Sequence, residues 1–361
     1  MQSPSFARSP RLGALALLCG AQAACCCSPP APTIGERGAS RAVDRAAPAE
    51  TPPGAEPDSI TRISMRNVDF RIDGDIILRV HRLDGEMLSR QPGMPVLFDD
   101  KTAFSLKLDT AEVGLTGEDL SHLLNEYVFA YPGAPLRNLS VKMVGNDVVQ
   151  TGIMHKVVDI PFEITAGVTL TPEGLIRLHP SKIRICSING GGLLKALNLT
   201  LASLLDLSKS HGVRVDKNDL ILNPDSILPP PAISGRIVDV RIEGPQIVQR
   251  FGRTRRGTES GAPPTRAPLV PSDTSAPNYI FFHGGTLRFG KLYMVHADMQ
   301  IIDADPANPF DFSMDGYEKQ LIAGYSRNTP IQGLQVFMPD YRQVAATSGL
   351  RLPAEVRPAS P

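Results

Sequence analysis

The chain has 361 residues, enough for one large domain or two small ones, and its 37 Lys and Arg are matched by 37 Asp and Glu. A net charge of zero leaves no field for the phosphates of a nucleic acid, so no nucleic-acid partner is expected. Four of the five cysteines (Cys19, Cys25, Cys26, Cys27) crowd the N-terminus, which leaves Cys186 alone and excludes an internal disulfide framework.

Residues 1–27 read as an export signal. Arg8 and Arg11 precede the apolar run Leu12 to Leu18, and Ala21-Gln22-Ala23 supplies a small-residue cleavage site. The run is too short to span a bilayer. Cys25, Cys26 and Cys27 follow Ala23 and Ala24 and resemble the acceptor region of bacterial lipoproteins, which makes them lipidation candidates. The departure is Gln22, where that pattern carries Leu; ordinary secretion and an uncleaved segment are the alternatives. Each places the body outside the cytoplasm, in a periplasm or on an envelope membrane surface. Residues 28–58, rich in Pro, Ala and Gly, read as a disordered tether.

From residue 59 the pattern is that of strands. Ile63 and Met65 alternate, a slip at Arg66-Asn67 suggests a bulge, and Val68, Phe70 and Ile72 resume before the Asp73-Gly74 turn into Ile76, Leu78 and Val80. Phe104, Leu106 and Leu108 share one face, and after another slip come Ala111, Val113 and Leu115. Thr116 and Asp119 form a capping box, with Leu115 placed to staple on Leu120. A helix over Glu118–Ala130 then shows one apolar face of Leu120, Leu123, Leu124, Tyr127 and Val128. Leu139, Val141 and Met143, then Phe162, Ile164, Ala166, Val168 and Leu170, restore the period of two, with hairpin turns at Gly145-Asn146-Asp147 and Pro172-Glu173-Gly174. After Asn189-Gly190-Gly191-Gly192, the residues Leu193, Leu194, Leu197, Leu201, Leu204 and Leu205 predict a long Leu-rich helix to Lys209. Strands return to residue 252, residues 253–277 read as a flexible insertion, residues 278–340 as strands completing the sheet or a small annex with a hairpin at Gly290-Lys291, and residues 341–361 as a tail.

Chemistry is sparse. None of the seven histidines sits at metal-ligand spacing. Asp303, Asp305, Asn308, Asp311 and Asp315 supply hard oxygen donors, but the glycine of a calcium loop is missing, so they read as a solvated loop. Asn189–Gly192 reads as a strand-to-helix turn, Cys186 as a packed thiol, and Arg250, Arg253, Arg255 and Arg256 as a solvated linker able to touch anionic lipid. No catalytic signature, metal site or cofactor motif is found, and an enzyme is not expected.

Phe104 to Gly252 resembles the LmeA-like bacterial phospholipid-binding family and, more loosely, the tubular lipid-binding superfamily. The resemblance lies in the strand ending Val113-Gly-Leu-Thr-Gly-Glu-Asp-Leu120, in Leu136-Arg-Asn-Leu-Ser-Val141, Val157-Val-Asp-Ile-Pro-Phe162 and Pro172-Glu-Gly-Leu-Ile-Arg-Leu178, in the Leu-rich helix, and in a closing strand from Gly235 to Gly244. It covers under half the chain, implies acyl-chain binding, and carries over no individual functional residue. The expectation is therefore an α+β fold: a strongly curved, mostly antiparallel sheet wrapped around the Leu-rich helix, with a second amphipathic helix. Its partner is a phospholipid or other acyl lipid, held in a groove lined by Phe104, Leu106, Leu108, Val141, Met143, Phe162, Ile164, Val168, Leu194, Leu197, Leu201 and Leu204. The alternative is a structural or interaction module with a packed core and a protein partner that the sequence does not identify; contact between Leu106, Val141, Ile164 and Leu201 without a cavity would favour it.

Overall fold

The computed structural model describes residues 60–155, 159–185, 207, 209–252, 269–330 and 333–345. Of these residues 59% are strand and 12% helical, arranged in two sheets with four short helices. The expected single sheet wrapped around a long Leu-rich helix is overturned: the apolar interior is closed by a second sheet, because the alternating runs between Leu136 and Leu222 pair with one another. The segment read as that helix lies outside the described residues except for Leu207 and Lys209, and so do its groove candidates Leu194, Leu197, Leu201 and Leu204.

β1 (Ile60–Asp73) and β2 (Ile76–Ser89) form the first hairpin, closed at Gly74, whose φ of 49° suits glycine at the turn. Asn67 has a φ of 51°, and direct pairing passes from Arg66–Arg82 to Val68–Val80, which is the slip read at Arg66-Asn67. β3 (Val96–Leu97) is short, and β4 (Phe104–Thr116) pairs with β2 through an irregularity between Thr110 and Leu108.

The capping box then starts α1 (Gly117–Leu123): Asp119 N donates to Thr116 Oγ1 at 3.1 Å, and Thr116 N donates to Asp119 Oδ2 at 2.8 Å. The expected thirteen-residue helix is shorter, because the chain widens into a π-turn over Leu124–Val128.

β5 (Leu136–Val144), β6 (Asp147–His155), β7 (Asp159–Leu170) and β8 (Ile176–Ile185) form an antiparallel meander, extended by β9 (Val213–Asp216) and β10 (Asp219–Leu222). This six-stranded sheet has the order β5-β6-β7-β8-β10-β9. α2 (Pro224–Ile227), capped by the Asn223 side chain, leads back to the larger sheet through β11 (Ala232–Ser234), β12 (Ile237–Glu243) and β13 (Gln246–Phe251). β14 (Tyr279–Phe289), β15 (Leu292–Asp303), β16 (Phe310–Ser313), α3 (Tyr317–Ala323), β17 (Tyr325–Asn328), β18 (Leu334–Met338) and α4 (Tyr341–Ala345) follow. The larger sheet has twelve strands with the main order β12-β13-β4-β2-β1-β14-β15-β18-β17, so the C-terminal strands join it through β14 and β1.

Aromatic residues are scarce in the sequence, and several of them gather in one place. Phe98 lies within about 6 Å of the rings of Phe104, Phe282, Phe289, Phe312 and Tyr317, which seals the part of the larger sheet around β1, β3, β14 and β16. The region between the two sheets is lined mostly by aliphatic side chains, with Phe162 and Phe251 among them. None of the helices among the described residues is long and apolar enough to cross a membrane.

Candidate functional site

Two adjoining apolar chambers lie between the sheets. The larger, about 100 Å³, is walled on one side by Val141, Gln150, Phe162, Ile164, Ile176, Leu178 and Ile183 of the smaller sheet, and on the other by Leu115, Ile247 and Gln249 of β4 and β13. Leu120, Leu123 and Leu124 of α1 and its π-turn close one side, and Leu207 contributes to the wall. The smaller chamber, about 70 Å³, lies against Leu78, Val80, Leu106, Leu108, Val113 and Phe251, with Pro224, Asp225 and Ile227 around α2. Leu115, Leu120, Leu123, Ile176, Leu222, Ile227 and Gln249 border both, so the two spaces meet at one partition.

These spaces are too large to be ordinary packing defects. Empty apolar volume costs about 24 cal/mol per Å³, or about 2.4 kcal/mol for the larger chamber and about 1.7 kcal/mol for the smaller. They are of the order of an engineered apolar cavity of about 150 Å³ that stays dry and admits benzene. An apolar occupant removes that cost, whereas water gains few hydrogen bonds on such walls.

α1 is held in its wall position by charge. Arg79 of β2 donates to Asp119 at 3.1 and 3.2 Å and to Asp69 of β1 at 2.6 Å, while Asp119 also serves the capping box. Asp119 is 2% exposed while the Arg79 side chain is 23% exposed, so the ion pair is partly shielded from water. Burial pushes the Asp69 carboxyl above its ordinary value, against the opposing pull of Arg79. At the wall of the smaller chamber, burial also raises the Asp225 carboxyl, with a hydrogen bond from the Gly235 backbone acting the other way.

Among the residues expected to line a groove, Val141, Phe162 and Ile164 border the larger chamber and Leu106 and Leu108 the smaller. Phe104 is instead packed in the aromatic region, its ring 6.3 Å from that of Phe98. Met143 packs against the small apolar cluster of Val141, Val148 and Ile247, and Val168 packs between that cluster and the main core, so neither borders a chamber.

The acidic run does not converge on a cation: Asp311 accepts from Arg71 Nε at 2.6 Å and Arg342 Nε at 2.7 Å, while Asp303 is bonded by Asn278. No cluster of His, Cys, Asp or Glu suited to a metal occurs among the described residues. Asn189–Gly192, Cys186, Arg253, Arg255 and Arg256 lie outside the described residues.

Sequence reasoning named no groove residue on β13. The alternation Ile247, Gln249, Phe251 after the Gly244-Pro245 turn is the strand signal that identifies it within the strands expected up to residue 252. Gln249 and Gln150 are the polar side chains of the larger chamber's wall among the described residues.

No family model matches this chain, and neither a curated protein nor a solved structure matches it. The resemblance to the LmeA-like family therefore rests on the sequence pattern alone.

Proposed function

We propose that this protein is an extracytoplasmic acyl-lipid carrier or holder, a binding protein without catalytic chemistry, that shields hydrocarbon chains between its two sheets. The observation that carries the reading is the pair of adjoining chambers with walls that are almost wholly Leu, Ile, Val and Phe. Each buried methylene contributes roughly 0.8 kcal/mol, so a few methylenes on each chain compete with water and begin to compete with a bilayer. The LmeA-like pattern from Phe104 to Gly252 and the export signal with Cys25, Cys26 and Cys27 support the same reading, with a role in envelope lipid transport or maintenance at a membrane surface.

The test is native mass spectrometry of the full chain purified from its own host without detergent. A retained mass equal to a phospholipid or other acyl lipid, lost on solvent delipidation, is the expected result. Protein that carries no lipid and takes none up from vesicles would leave the interior a packed structural core.

A further inference from the structure

Gln249 sits where a hydrocarbon-lined site has no use for an amide. It is buried, 8% exposed, and lies at the partition between the two chambers, bordering both. Its partners across the ladder are Val113 on β4 and Val240 on β12, which offer its side chain no polar group. The larger sheet thus presents a buried amide, without a hydrogen-bond partner for its side chain among the described residues, into an apolar space. An amide facing that space is stabilised by an acceptor placed inside it. The other polar side chain of the larger chamber's wall, Gln150, lies on β6 of the opposite sheet and borders the larger chamber alone of the two.

Resting on the lipid-binding reading above, we propose that Gln249 is the specificity-determining residue of the site. Its Nε2–H donates to the carbonyl oxygen of an ester-linked acyl lipid whose linkage sits at the partition, with hydrocarbon running from there into the chambers. The ligand class is then narrowed from any apolar molecule to acyl esters, because an alkane or an alkyl ether leaves the amide donor without a strong acceptor. A site that hydrogen-bonds one group of its ligand discriminates most against the analogue lacking that group.

The experiment uses the delipidated full chain and two probes with the same head group and chain length, a diacyl (ester) and a dialkyl (ether) phosphatidylglycerol, each competing with a fluorescent fatty acid. The wild type is expected to prefer the ester form by about twofold to tenfold, the range of one neutral hydrogen bond. Gln249→Leu is expected to lose the preference and bind the two probes with equal affinity. Gln249→Met, unbranched and of similar length, gives the same reading if the Leu variant folds poorly. A wild type that binds both probes equally, or a variant that keeps the preference, overturns the role of Gln249 while leaving lipid binding intact. A wild type that binds neither probe overturns the lipid-binding reading and this assignment together.

Discussion

Ile164→Trp tests the larger chamber directly. Ile164 is central in β7, 8% exposed, paired with Gln150 on β6 and Ile183 on β8, and all three side chains border the chamber. An indole at this position enters space that costs the empty protein about 2.4 kcal/mol. Part of that gain is lost to imperfect fit, since overpacking typically costs about 1 to 3 kcal/mol, and the indole N–H has the Gln150 amide oxygen within the same wall. The delipidated variant is therefore expected to be about 1 kcal/mol more stable than delipidated wild type, with Tm higher by roughly 2 to 4 °C. Acyl binding moves the opposite way. Displacing only two methylenes forfeits about 1.6 kcal/mol, a roughly fifteenfold weaker Kd. The chain has no Trp of its own, so a blue-shifted emission reports that the ring lies in the apolar interior. A variant with lowered Tm and unchanged affinity for a fluorescent fatty acid would show that the chain of the ligand does not occupy this chamber.

Three further outcomes are expected. Asp119→Ala removes the α1 cap and one carboxylate of the buried Arg79 pair, so urea unfolding should report a loss of about 3 to 5 kcal/mol; a loss under about 1 kcal/mol would contradict the anchoring role of that pair. Burial, together with Asp303 and Asp311, pushes the Asp340 carboxyl up to about 6, against hydrogen bonding from the Asp311 N–H and the charge of Arg342. An acid whose folded pKa exceeds its unfolded value is bound more tightly to its proton in the folded state, so this group costs stability above about pH 6 and the cost disappears as pH falls towards 3.8. Asp340→Asn should therefore be the more stable protein at pH 7.5, by at most about 3 kcal/mol, with the difference vanishing near pH 4 in denaturant titrations; a difference independent of pH would refute the assignment. Replacing Cys25, Cys26 and Cys27 together with Ser should abolish labelling by radioactive palmitate in the host and shift the protein out of the membrane fraction, and unchanged labelling would exclude lipidation at these residues.

Local structure was legible in the sequence wherever its cause is local. The turns at Gly74, Gly145, Gly174 and Gly290 all take positive φ, and the Thr116–Asp119 capping box forms as its spacing required, because each depends on a few neighbouring residues. The alternation in β1, β4, β5 and β7 likewise identified which side chains turn inward. What periodicity does not carry is partnership. Leu106 and Ile164 have the same kind of alternating pattern, yet one belongs to the twelve-stranded sheet and the other to the six-stranded sheet facing it. Phe104 follows the same pattern as Leu106 and still lies among packed aromatic rings, because β3 and β14 bring Phe98 and Phe282 to that end and not to the other. Gln249 shows the limit most plainly. On the sequence it is a polar residue near a run of arginines, and only the pairing of β13 between β4 and β12, with the second sheet opposite, turns its amide into the apolar interior.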